Sequence, residues 1–214
     1  MSFTVIHAPQ RSPEWFAARL GRLTGSSAVD ISETRKAGRR NLLLRLVLER
    51  LTGKSHERDF VSAAMEEGIE READAFRAYE ALTGEMVQRV GFVRHDELMV
   101  GCSPDGVIGN FGAVLSIKCR QPAAHYDFLR TGTIPADAMA QMRHEMWVTG
   151  ALTAEYFSWN PDFDPKLQSR VVTVPRDGVG DHEAAALKFL RDVDVELDAM
   201  RTMADTAAVL KATA

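Results

Sequence analysis

Asp105, Ser116 and Lys118 are the residues of this chain whose types and spacing can do hydrolytic chemistry. They lie in the stretch from Cys102 to Lys118. There Pro104-Asp105-Gly106 is a turn signal carrying a carboxylate, and Gly109-Asn110-Phe111-Gly112 reads as a second turn. Short apolar runs between and after the turns predict a β-hairpin. Alternate side chains of a strand share a face, so Ser116 and Lys118 point one way and Leu115, Ile117 and Cys119 the other. Paired across the hairpin, Asp105 comes beside them. A carboxylate, a second polar group and an amine on one face can hold a divalent metal and activate a water. The competing reading is plain: Pro-Asp followed later by X-X-Lys is common, and most such aspartates only make turns.

The elements that must position these groups come from a chain of 214 residues, a length that fits one domain over 1–214, or one domain with a helical extension. A hydrophobic fraction of 45% supplies an ordinary globular core. No apolar run approaches a bilayer span, and the amino terminus lacks a secretory apolar segment, so no membrane is expected. Two cysteines, Cys102 and Cys119, are too few for a disulfide framework and read as reduced, buried residues of a cytoplasmic protein. A net charge of −4 excludes a globally basic nucleic-acid binder, so any polyanion must be met by local patches.

In chain order, Phe3 to Ile6 reads as a short strand. Ser12-Pro13-Glu14-Trp15 opens a helix with serine as cap and proline first, and Arg19 falls on the Trp15 face. Thr24-Gly25-Ser26-Ser27 then starts a second helix; its hydroxyls and free amides, with Arg19, make either a phosphate cradle or plain capping. The residues from Thr34 to Arg40 read as a basic loop, for DNA backbone contact or for solvation. Asn41 to Leu51 is helical, and a long helix runs from about Asp59 to Leu82. In it Glu72 lies on the side of Ala73, Phe76 and Tyr79, where an acid is costly unless a cation meets it. Glu66, Glu67 and Glu70 read as surface charge. Met86 to Arg94 and Leu98 to Gly101 are expected strands, Pro122 to Arg130 and Pro135 to Thr149 helices. The second of these carries Gln141 and His144 or Glu145 at helical spacing. Strands at Ala154–Trp159 and Arg170–Val174 and one long helix from Asp181 complete an α/β core, a mixed central sheet flanked by helices with a long C-terminal helix.

Several of these pieces, in this order, give the chain a resemblance to a known family. They are Glu14-Trp15 with Arg19, Leu23-Thr24-Gly25-Ser26, Gly68 through Glu72-Ala73, Arg94 through Cys102-Ser103-Pro104-Asp105-Gly106, Ile117-Lys118-Cys119, and Met139-Ala140-Gln141 leading to Met146-Trp147-Val148-Thr149. Over most of its length the chain resembles the phage lambda exonuclease family, the YqaJ-like viral recombinases of the PD-(D/E)XK nuclease superfamily. The resemblance implies a restriction-endonuclease-like fold and a Mg²⁺-dependent 5′-to-3′ exonuclease on linear double-stranded DNA, with Mn²⁺ able to substitute. It also implies a homotrimeric ring, a single-strand DNA annealing protein as partner in recombination, and a bacterial, prophage-type setting.

Carried over by position, Asp105 binds metal, Ile117 lends its backbone carbonyl, and Lys118 orients the attacking water or stabilises charge on the phosphorane. Glu72 resembles the helix acid of the site and Gln141 the glutamine beside it. Arg19, Ser26 and Ser103 resemble residues at the DNA 5′-phosphate; Arg143 stands where the family often has a second glutamine and is assigned to phosphate. The departure is Ser116, at the position expected to be Glu or Asp and to serve as catalytic group and metal ligand. Serine is neutral and short, and losing ~4 kcal/mol of transition-state stabilisation slows a reaction about a thousandfold. Between Asp105 and Lys118 no other acid occurs, so rescue falls to Glu72, Asp96 or Glu70. The expectation is therefore an exonuclease impaired at Ser116. The alternatives are a silent DNA-end-binding scaffold and a site-specific endonuclease of the same superfamily.

Overall fold

The computed structural model describes residues 2–56 and 63–212, with side chains over 2–56 and 71–206. Asp59, where the long helix was expected to begin, and the side chains of Glu66, Glu67 and Glu70 lie outside the described residues. Eight strands are described: β1 Phe3–Ile6, β2 Leu23–Thr24, β3 Phe92–His95, β4 Val100–Cys102, β5 Gly106–Ile108, β6 Ala113–Cys119, β7 Thr153–Trp159 and β8 Ser169–Pro175. The α-helices are α1 Pro13–Arg19, α2 Lys36–Thr52, α3 Ala63–Thr83, α4 Pro122–Thr131, α5 Ala136–Thr149 and α6 Val179–Ala212. The fold is α/β, but the single central sheet expected from the sequence is divided. One sheet runs β1-β3-β4-β2 and the other β5-β6-β7-β8. Both are mixed, with β2 parallel to β4 and β6 parallel to β7.

The division explains why the long strand expected over Met86–Arg94 does not form. Gln88 bridges Val107 of the second sheet, whereas Phe92 to His95 pair with β1 of the first. The chain crosses between sheets at Gly91, where a Cβ would stand 2.2 Å from the Ala8 carbonyl. A second correction concerns the basic stretch. Lys36 to Arg40 are the opening turns of α2, since lysine, alanine and arginine favour helix and outweigh one glycine. Two of its arginines meet acids, Arg35 with Asp30 at 3.1 Å and Arg39 with Asp192 at 2.6 Å. Thr24-Gly25-Ser26-Ser27 leads into a 3-10 helix, Gly25–Ile31, rather than an α-helix.

Two apolar cores follow from the alternation along β6. Val114 joins Tyr156, Met142, Met146 and Trp147 on the α5 side, and Leu115 and Ile117 join Phe76, Tyr79 and Phe157 on the α3 side. Ser116 shares the Val114 face, so it looks toward α5. That helix packs on β3 and β4 of one sheet and β6 and β7 of the other. It buries eight of its fourteen residues, His144 and Glu145 included, as a helix enclosed on all sides must. Gly150 ends it in the left-handed conformation. Among the described residues no helix is long and apolar enough to cross a membrane. Cys102 and Cys119 are free, on different sheets; Cys119 is half-buried rather than buried as expected.

Candidate active site

Asp105 stands just before β5, and its carboxylate is fixed by the strand opposite. The register pairs Gly106 with Leu115, and Asp105 Oδ2 accepts a hydrogen bond from the Ile117 amide at 2.7 Å. The turn that closes this hairpin holds Gly109, Asn110 and Phe111 at φ +57°, +51° and +66°. Lys118 follows Ile117 on the same strand, and both Asp105 and Lys118 act electrostatically on Glu72, Cys119 and Glu145. Asp105 and Lys118 thus act on the same three side chains.

Glu72 reaches the site from α3, four residues before Phe76 and seven before Tyr79, both buried; Ala73, expected on that side, is exposed. Burial and then Asp105 push the Glu72 carboxyl above its ordinary range, and Arg89, Arg11 and Lys118 pull it back. Glu72, Asp105, Arg11 and Arg89 line one cavity of about 490 Å³. Its walls therefore carry two guanidinium groups beside two carboxylates. Arg89 lies over the Phe76 ring at 4.0 Å. Arg11 and Arg89 were not foreseen; isolated arginines give no sequence signal until folding gathers them. Cys119 is held at about 11 by burial and by Glu72, so it stays a thiol at neutral pH.

On α5 the structure separates the polar residues. His144 turns away: its Nε2 lies 3.1 Å from the Gly101 carbonyl and its Nδ1 3.1 Å from His182 Nε2. Burial holds both imidazoles neutral, at about 3 for His144 and about 4 for His182. Arg143 sits against Gly178, where a Cβ would stand 3.1 Å from its guanidinium carbon, and acts on His182. It is not brought together with Asp105. Gln141 and Glu145, one turn apart, do face the site, and Gln141 Nε2 donates to Glu145 Oε1 at 2.8 Å. The Glu145 carboxyl is pushed up to about 8, first by burial and then by Asp105, while Gln141 and Lys118 lower it. Helical spacing alone left Glu145 and His144 undistinguished.

Of the residues expected at a 5′-phosphate, Arg19 acts on the buried Cys102 thiol, as Glu145 does. The Arg19 guanidinium stacks on the Trp15 ring at 4.0 Å, and Trp15 Nε1 donates to Ser103 Oγ at 2.9 Å. Ser26 is exposed, 3.3 Å from the Thr24 hydroxyl, and Arg45 donates to Ser27 Oγ at 2.9 Å. Asp96 is committed elsewhere, accepting from the hydroxyls of Ser2 and Thr4, so it offers no rescue of Ser116.

Two mixed sheets, an enclosed helix between them and a hairpin aspartate beside a lysine define an exonuclease-type fold. The structure is similar to a crystal structure of the alkaline exonuclease LHK-Exo from Laribacter hongkongensis (TM-score 0.83, 30% identity, 92% of this chain and 100% of that one). It is equally similar to LHK-Exo in complex with dAMP (TM-score 0.83, 31% identity, the same coverage). A phage-related exonuclease from Haemophilus somnus, 13% identical over 82% of this chain and 96% of that one, shares the fold at a TM-score of 0.56. No curated protein matches the chain in sequence. The YqaJ-like viral recombinase domain matches residues 14–152, and the chain belongs to that family.

Proposed function

We propose that the chain is a divalent-metal-dependent exonuclease that digests one strand of linear duplex DNA from its 5′ end. It would work as a homotrimer beside a single-strand annealing protein, in the bacterial cytoplasm. The observation that carries the nuclease reading is Asp105 Oδ2 bonded to the Ile117 amide with Lys118 next on the strand. The similarity to an alkaline exonuclease supports it, and the relative that holds dAMP fits a site built for a nucleoside monophosphate. Asp105, with the Ile117 carbonyl, offers oxygen donors suited to a hard cation such as Mg²⁺ or Mn²⁺, and Glu72 is the helix acid beside them. Among the described residues no group of three or more His, Cys, Asp or Glu side chains is placed to hold a metal ion; Mg²⁺ usually takes one or two protein carboxylates and keeps several waters. When bound, such an ion would polarise the phosphate and make a bound water more acidic.

The chain's own groups do the rest. The Ile117 amide holds Asp105 Oδ2 in place, so the carboxylate does not rotate away. Lys118 offers a cation to the non-bridging phosphate oxygens or to the attacking water. Arg11 and Arg89 offset phosphate charge along the cavity, and Arg19, Ser26 and Ser103 receive the terminal 5′-phosphate. The test is digestion of 5′-phosphorylated linear duplex in Mg²⁺. Asp105→Asn should lose about a thousandfold in rate, equivalent to ~4 kcal/mol. Cutting of closed circular DNA would make the protein an endonuclease; end binding without digestion would make it a scaffold.

A further inference from the structure

The geometry points to Glu145 as a second carboxylate of the metal site, filling from α5 the role that Ser116 leaves open on β6; the ligand is a hard divalent cation. The inference rests on the nuclease reading and names the group that completes its site. Two buried polar atoms carry it. Ser116 is 1% exposed and its Oγ has no hydrogen-bond partner. Glu145 is also 1% exposed; Oε1 is taken by Gln141, and Oε2 has no partner.

A carboxyl buried for structural reasons spends both oxygens, because an unpaired one keeps its full desolvation cost. Glu49 shows the ordinary case in this same fold. It is 4% exposed, with Oε2 on the Gly21 amide at 2.9 Å and Oε1 on the His56 amide at 3.1 Å. Glu145 differs: Gln141 holds one oxygen and the other has no hydrogen-bond partner. The free oxygen belongs to a group in the field of Asp105 and Lys118. Ser116 looks toward the same helix, and its own hydroxyl is likewise buried without a partner. Ser116 and Glu145 then form one compensated arrangement, and Gln141 is a positioning residue. The impairment expected from Ser116 does not follow.

The experiment measures Mn²⁺ binding to the full chain after chelation, by calorimetry and by loss of the free-ion spin-resonance signal. Glu145→Gln, which keeps size and the Gln141 contact, should weaken Mn²⁺ by at least about tenfold. Exchanging the two residues, Ser116→Glu with Glu145→Ser, should recover affinity to within a few-fold while Glu145→Ser alone does not. Unchanged Mn²⁺ affinity in Glu145→Gln, with Asp105→Asn losing it, overturns the inference and leaves the nuclease site standing. A folded exchange variant that fails to recover affinity overturns it as well. If the unsubstituted chain binds no Mn²⁺, or Asp105→Asn binds it unchanged, the nuclease reading falls and the inference with it.

Discussion

At the scale of single residues, the cost of Glu145 should be visible in stability. Its carboxyl titrates at about 8 in the folded chain against 4.5 ordinarily. Between those values the folded state holds the extra proton, so stability is full below 4.5 and is lost as pH rises through 8. His144 and His182 act in the opposite sense, because depressed values cost stability only below their ordinary 6.5. Raising pH from about 6.5 to 9 therefore isolates Glu145 from that pair. With chelator present, urea denaturation should show a loss of about 2 kcal/mol over that range, at ~1.36 kcal/mol per pKa unit. Glu145→Gln should abolish that loss; the same slope in both proteins would mean that the carboxyl ionises freely.

At the scale of elements, β4 is what aims the site. It ends at Cys102, three residues before Asp105, and the Gly101 carbonyl meets His144 Nε2 of α5. His144 in turn meets His182, so one residue ties the strand to two helices. A Cβ on Gly101 would stand 2.2 Å from Cζ of the fully buried Phe92 ring and 2.8 Å from the Val93 carbonyl. Gly101→Ala should then cost about 1–3 kcal/mol of overpacking in urea denaturation. It should also weaken Mn²⁺ binding, since β4 leads directly into the turn that carries Asp105. An unchanged midpoint would show that the Phe92 ring has room to turn aside.

At the scale of the whole molecule, a net charge of −4 makes DNA binding a matter of place. Arg11, Arg89 and Lys118 gather about Glu72 and Asp105, whereas Arg35 and Arg39 are neutralised by acids within the fold. A ring enclosing duplex would add such patches from three copies, and phosphate contacts of this kind make affinity fall steeply with salt. Sedimentation equilibrium at working concentration should give three times the chain mass of 23.7 kDa. A monomer there would remove the ring.

What the sequence determined by itself was local. Turn residues and the two-residue period of a strand place Asp105 across from the Ser116–Lys118 segment, and caps and glycines mark the ends of α1, α4 and α5. These features follow from covalent geometry over a few residues, so they are legible without knowing what packs on them. The division into two sheets was not, because Met86–Arg94 has the apolar pattern of a strand and only its partners decide that it changes sheets. Glu145 was hidden for the same reason. One turn of helix presents Gln141 and Glu145 together, but which polar face of α5 meets the hairpin depends on both sheets closing around that helix. Packing turned His144 toward Gly101 and left an unspent oxygen of Glu145 buried in the field of Asp105 and Lys118.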